Sequence, residues 1–214
     1  MKTQTKLYIG TTFTVSFLLW TLLVKTVDVA SVGPNGSAVG FSTLNTLFHR
    51  VTGVNMTLYT ITDWLGLVPV FVALCFALFG LFQLIKRKSL LKVDFSILAL
   101  GVFYIAVIGV FVFFEFLPIN YRPVLIDGYL EASYPSSTTL LTATVMPTAA
   151  IQLQRRIKRK SLRVSSLIAI CSFSAFMIIG RFISGVHWLS DIIGGLLVSA
   201  FLVLTYRFIT DGKA

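Results

Sequence analysis

FSILALGVFYIAVIGVFVFF, residues 95–114, is an unbroken run without a single charge. At about 1.5 Å of rise per residue its twenty residues reach roughly 30 Å, the thickness of a bilayer's hydrocarbon core. Backbone N–H and C=O groups find no water there, and a single run can satisfy them internally only as a helix. Five further runs read the same way: about Leu7–Val24, Trp64–Ile85, a short one at Thr139–Leu153, Leu167–Val186 and Ile192–Phe208. The composition agrees. The chain is 56% hydrophobic and only 12% charged, and its mean hydropathy is +0.88. Soluble domains are nearer 45–50% apolar and about 25% charged, so a soluble fold could not cover this much apolar surface. The expected fold is all-α: one membrane-integral domain over residues 1–214 with six transmembrane helices.

The net charge of +10 invites a nucleic-acid reading, and the placement of the charges argues against it. Lys86, Arg87, Lys88 and Lys92 follow the second run. Arg155, Arg156, Lys158, Arg159, Lys160 and Arg163 follow the fourth. Lys2, Lys6, Arg207 and Lys213 sit at the ends. These 14 of 18 basic residues fall on one side, leaving Lys25, Arg50, Arg122 and Arg181 on the other. Such asymmetry is an orientation signal that marks the loaded side as cytoplasmic. Both termini are then inside, a bacterial plasma membrane is the expected setting, and membrane lipids rather than nucleic acid are the expected partners. Lys2 and Lys6 precede the first run as in a signal peptide, but that run is long and no small-x-small cleavage site follows, so it reads as a retained span. Cys75 and Cys171 lie inside apolar runs and read as small buried hydrophobes.

The outer connection from Thr26 to Asp63 is the longest. Gly33-Pro34-Asn35-Gly36 marks a turn. Phe41, Leu44, Phe48 and Val51 recur at helical spacing up to Gly53 and predict a short amphipathic helix at the membrane surface. Asn35-Gly36-Ser37 and Asn55-Met56-Thr57 match the glycosylation sequon, which matters only in a eukaryotic secretory pathway. Trp20, Trp64 and Trp188, near span ends, read as interface anchors. Asp127 and Glu131 read as solvated loop charges, and His49 as a loop residue.

Polar groups are expensive in a membrane, so their clustering is informative. Three polar stretches converge on the outer side: 115–123 (EFLPINYRP), 134–139 (YPSSTT) and 180–191 (GRFISGVHWLSD). His187 and Asp191 are four apart at the mouth of a helix. That spacing can bring a carboxylate to Nδ1 and leave Nε2 as nucleophile or base. Arg122 and Arg181 offer planar, forked donors that suit a phosphoryl group. Ser136, Ser137 and Thr138 open a helix, where free N–H groups favour an anion. The same three residues would also serve as a plain helix cap.

The pattern Arg-x5-His-x3-Asp, preceded by Arg-Pro and by Pro-Ser, resembles the type 2 phosphatidic acid phosphatase (PAP2) superfamily. That family's three motifs read Lys-x6-Arg-Pro, Pro-Ser-Gly-His and Ser-Arg-x5-His-x3-Asp. The resemblance covers about Phe114–Val198, and the six-span layout extends it to the whole chain. It implies a phosphohydrolase in which His187 attacks phosphorus to form a phosphohistidine and Asp191 orients His187. Arg122, Arg181 and Ser136, with Ser137, Thr138 and backbone N–H groups, hold the phosphoryl oxygens, and no metal or other cofactor is called for.

Three positions depart from the family. Glu115 stands where the family has Lys, Thr138 where it has the second-motif His, and Gly180 where it has Ser. The family's second-motif histidine protonates the leaving group, and a threonine is no acid near neutral pH. A leaving group that departs without protonation is therefore favoured, such as phosphate leaving from a diphosphate. That points to a lipid diphosphate of the polyprenyl type among lipid phosphates generally. The alternative is a catalytically impaired relative that binds or transports lipid phosphates.

Overall fold

A computed structural model of the chain describes residues 3–211, and each of the six apolar runs lies largely in helix, the second interrupted at Gly66 and the fifth running past the helix end at Ile183. These are α1 (Thr3–Thr26), α4 (Leu67–Arg87) with α3 (Met56–Leu65) directly before it, α5 (Phe95–Phe116), α6 (Ser137–Arg156), α7 (Lys160–Ile183) and α8 (Leu189–Asp211). The surface helix is α2 (Ser42–Thr52), and Gly53 at φ 62 ends it. Among the described residues there is no strand, only three isolated β-bridges. Lys2 and Lys213, counted among the inner basic residues, lie outside the described residues, as does the side chain of Lys6.

Among the described residues, four helices are long and apolar enough to cross a membrane: Met56–Arg87 taken as one, Phe95–Phe116, Lys160–Ile183 and Leu189–Asp211. The chain is an integral membrane protein with an all-helical fold. Helices α1 and α6 are not among those four. In α6 the reason is its composition. Thr138, Thr139, Thr142, Thr144, Thr148 and Gln152 are all buried, so its polar groups face protein rather than lipid. Thr144 and Thr148 return their hydroxyls to backbone carbonyls one turn back, at 2.7 and 2.9 Å, a common way to satisfy a hydroxyl inside a helix.

Lipid offers no hydrophobic drive between helices, so close packing by small residues takes its place. Helix α8 packs against α6 and α1, and α6 also against α7 and α4. On α8, a Cβ at Gly194 would stand 2.4 Å from the Tyr134 ring, and one at Gly195 would stand 3.2 Å from Thr139. The core joins Phe17 and Val24 of α1 to Phe103, Val107 and Phe114 of α5 and to Leu202 and Tyr206 of α8. Phe114 meets Phe17 and Tyr134 edge-on, with centroids 5.9 and 5.6 Å apart, the geometry ring quadrupoles favour.

Two expectations are corrected. Cys75 and Cys171 are exposed on the outer faces of their helices. A helix apolar all round turns most of its surface to lipid, so lying within an apolar run does not bury a residue in protein. Trp188 is only 3% exposed. It is locked inside by an Nε1 hydrogen bond to the Tyr121 carbonyl at 2.7 Å, whereas Trp64 is 70% exposed.

Candidate active site

The loop after α5 doubles back on itself. Arg122 N donates to Glu131 O at 3.0 Å and Ser133 N to Asn120 O at 2.9 Å, beside an antiparallel bridge between Tyr121 and Ala132. This folding places Asn120, Arg122, Glu131 and Ser133 beside one another. The start of α6 is tied to α8 by Ser136 N, which donates to Asp191 O at 3.1 Å. The α7–α8 turn carries His187. Its Gly185 has φ +67, and a Cβ there would meet the Gly53 carbonyl oxygen at 1.8 Å, so only glycine fits.

His187 is 4% exposed. Its Nδ1 lies 3.0 Å from Ser133 Oγ, and Ser133 Oγ donates to Asp191 Oδ2 at 2.5 Å. A hydroxyl has one hydrogen. With that hydrogen on Asp191, Ser133 can only accept from His187, which assigns the proton to Nδ1 and the lone pair to Nε2. Nε2 is buried and has no partner. The expected direct contact of Asp191 with the imidazole is thus replaced by a serine bridge. The carboxylate is drawn aside by its own helix. Asp191 sits in the first turn of α8 and accepts from Trp188 N at 3.0 Å, the backward reach of a capping box. Asn120 Nδ2 at 3.1 Å and Ser190 Oγ at 3.3 Å complete its donors, which compensates a fully buried carboxylate.

The two arginines flank Tyr59, with guanidinium carbons 4.7 Å (Arg181) and 5.7 Å (Arg122) from its ring centroid, within cation–π range. Arg181 is 1% exposed. Its Nη2 donates to Asp63 Oδ1 at 2.9 Å and to Thr138 Oγ1 at 2.8 Å. Arg122 Nε lies 3.0 Å from Glu131 Oε2. That contact is close but poorly aligned as a hydrogen bond, and Arg122 Nε and Nη1 are left without hydrogen-bond partners. Glu131, a loop charge whose side chain is still 40% exposed, is also an ion-pair partner in the site wall. Burial, then the positive charges of Arg122 and Arg181, hold the His187 imidazole well below its ordinary value of 6.5.

A cleft of about 260 Å³ is lined by Glu115, Arg122, Glu131, Ser133, Ser137 and His187, among others. A larger apolar recess of about 440 Å³ lies next to it between α4, α5 and α6. The two share Phe111 and Ser137 in their walls. Of the residues expected at the site, His187, Arg122 and Ser137 line the cleft. Asp191 and Ser136 are fully buried behind it, with the Ser136 hydroxyl unpartnered. Thr138 turns to the recess and to Arg181. His49 stands apart from the cleft, its Nε2 3.1 Å from Gly185 O and its ring 5.4 Å from Trp188, bracing the turn that holds His187. Sequence reasoning missed Ser133, Asn120, Tyr59 and Asp63. Tyr59 and Asp63 lie far away in sequence with no motif around them. Ser133 is one residue before a stretch already singled out.

The family model of the PAP2 superfamily matches residues 113–213. That stretch, just under half of the chain, is similar to the PAP2 superfamily. A solved structure, the first transmembrane PAP2 type phosphatidylglycerolphosphate phosphatase from Bacillus subtilis, shares 17% identity and has a TM-score of 0.68. It covers 97% of this chain and 98% of its own, so the PAP2 membrane fold extends over α1–α4 as well. No curated protein matches the chain. The PAP2 segment contains every cleft residue except Phe111, while Tyr59 and Asp63, which hold the second arginine, come from outside it. Family and fold together support phosphatase chemistry in the membrane.

Proposed function

We propose that the chain is a membrane phosphohydrolase that removes phosphate from a lipid phosphate, with a preference for a lipid diphosphate of the polyprenyl type. The observation that carries this reading is the buried, unpartnered Nε2 of His187 in the same cleft as Arg122, with its tautomer fixed through Ser133 and Asp191. In this reading Nε2 attacks phosphorus in line, the bond to the leaving oxygen breaks, and a phosphohistidine forms. Asp191, through Ser133, orients the ring and balances its positive charge. Arg122, Arg181 and Ser137, with Ser136 and Thr138 behind them, supply the donors for the phosphoryl oxygens. Water then releases phosphate. The preference for a diphosphate rests on Thr138, whose hydroxyl oxygen accepts from Arg181 and which offers no acid to a departing alcohol. The apolar recess would take the lipid chain.

The same reading has α1 and α6 completing six spans, both termini in the cytoplasm and the cleft at the outer face of a bacterial plasma membrane, following the basic residues. The test is phosphate release by detergent-purified protein from a polyprenyl diphosphate, beside His187→Ala and a lipid monophosphate panel. Release without added metal that the substitution abolishes, faster on the diphosphate, is the expected result. Equal rates on both substrate types would sink the diphosphate preference. No release above the variant would favour a lipid-phosphate binder or transporter, a reading that draws on the carboxylate beside each arginine.

A further inference from the structure

We propose that Tyr59 is a positioning residue of the phosphoryl site: its ring holds the guanidiniums of Arg122 and Arg181 together before a ligand arrives, so that both meet one phosphoryl group. This deepens the phosphohydrolase reading and rests on its phosphoryl site. Two cations that converge on one anion repel each other until it comes, and the repulsion grows where water is scarce. Arg122 and Arg181 are only 8% and 1% exposed. The carboxylates beside them lie toward solvent, with Glu131 40% and Asp63 55% exposed, and solvated ion pairs are worth little. What the two arginines share is the half-buried ring of Tyr59, 5.7 and 4.7 Å from their guanidinium carbons. An aromatic face attracts cations while carrying no net charge. It gathers the pair without putting an anion in the place of the phosphate.

Helix α3 is built to deliver this ring. Asn55 caps it, its Oδ1 accepting from Leu58 N at 2.9 Å. Asn55 N donates to Ser184 O at 2.9 Å, which ties the helix start to the turn that carries His187. One turn on, Arg181 Nη1 donates to the Tyr59 carbonyl at 3.3 Å and to Thr62 Oγ1 at 3.4 Å, while Asp63 and Thr138 take Nη2. Arg181 Nε is buried without a partner, as are Nε and Nη1 of Arg122. Those three nitrogens are left for phosphoryl oxygens.

The close approach of α3 depends on Gly180. A Cβ there would lie 2.8 Å from Cγ2 of Thr62. Thr62 is fully buried, and its hydroxyl donates to the Leu58 and Tyr59 carbonyls at 2.9 and 3.0 Å, so it has little room to give way. A side chain at position 180 would push α3, and the Tyr59 ring with it, away from Arg181.

The test is calorimetric binding of inorganic phosphate to the full-length protein in detergent, beside phosphate release from a lipid phosphate. Tyr59→Leu should weaken phosphate about tenfold, the scale of cation–π contacts out of water, and lower kcat/KM by a like factor. Tyr59→Phe keeps the ring and should hold both within about twofold of wild type. The deciding readout is a double-mutant cycle. In an Arg122→Gln background Tyr59→Leu should cost far less, because no second cation is left to gather. An equal cost in both backgrounds marks a merely structural residue and would overturn the proposal, as would Tyr59→Phe doing as much damage as Tyr59→Leu. Gly180→Ala reaches the same contact with the ring intact, and decides the matter if Tyr59→Leu does not fold. It should weaken phosphate, and an unchanged affinity would overturn the proposal. If release depends on His187 while Tyr59→Leu binds phosphate like wild type, the phosphatase reading stands and the role of Tyr59 falls. If phosphate binding follows Tyr59 but nothing is released, the phosphatase reading falls and the positioning role stands. If wild type neither binds nor releases phosphate, both fall.

Discussion

Ser133 places one hydroxyl between a buried carboxylate and a buried imidazole, and its single hydrogen decides which nitrogen of His187 is free. Ser133→Ala removes that decision and leaves Asp191 and Nδ1 each short of a partner. Losses of this kind cost about 1–3 kcal/mol, so kcat should fall about tenfold to a hundredfold in phosphate-release kinetics, with Ser133→Thr restoring part of it. The pH dependence of the same residue has a definite sign. His187 is held well below 6.5 by burial and then by Arg122 and Arg181. In the folded state it refuses a proton that the unfolded chain accepts. The contribution of His187 to stability is therefore level above about pH 6.5 and declines as pH falls below that value toward the folded pKa. Nε2 keeps its lone pair over the same window. The acid limb of kcat/KM should lie below 6.5, and Arg122→Gln, by removing one of the repelling charges, should move that limb upward in a pH–rate profile.

Helices were the most legible part of the sequence, because charge-free runs of spanning length allow nothing else in lipid. The subtler element is α2. Its apolar positions at Leu44, Leu47 and Val51 are exposed, while Ser42 and Asn45 are buried, so its polar side faces the protein. Asn45 donates to Gly40 O at 2.7 Å and to Ser190 Oγ at 2.9 Å, and accepts from Ser190 N at 3.1 Å. Periodicity reveals that a helix has two faces but not which one meets protein when the surroundings include lipid. Asn45→Ala should lower the melting temperature in detergent, with a loss of about 1–3 kcal/mol for the groups it strands. Gly185→Ala should do more damage, since its left-handed φ and the Gly53 carbonyl both exclude a side chain. Reduced folded yield on size exclusion is the expected readout. The motif spacing made legible the neighbourhood of Arg181 in the last turn of α7, His187 in the turn after it and Asp191 in the first turn of α8, with Arg122 in the loop after α5. The site was illegible where partners arrive from distant chain, as Asp63 and Tyr59 do. The serine bridge was hidden because a spacing of four predicts proximity of His187 and Asp191, not what stands between them.

Across the whole molecule, the cleft residues gather at one end of the bundle and an arginine network closes the other. Arg87 and Arg156 both reach Asp94, at 2.9 and 3.3 Å, and Arg155 reaches Asp211 at 2.9 Å. Burial by itself pushes the Asp94 carboxyl up, but hydrogen bonds from Gln83 and Arg87, with the charges of Arg87 and Arg156, outweigh it and hold the group below its usual range. The proposed orientation puts that network inside. In a background with Cys75 and Cys171 replaced by alanine, Asp127→Cys should react with an impermeant maleimide on intact cells, and Lys158→Cys only after permeabilisation. The reverse pattern would turn the cleft to the cytoplasm.

The wall that the cleft and the recess share at Phe111 and Ser137 also sets the dimensionality of the encounter. A lipid whose chain lies in the recess while its head turns into the cleft reacts without leaving the plane of the bilayer. Its arrival is governed by molecules per unit area, not per unit volume. Inert detergent added at constant bulk substrate thins the reactant within that plane. Turnover should then follow mole fraction, in the manner of surface dilution.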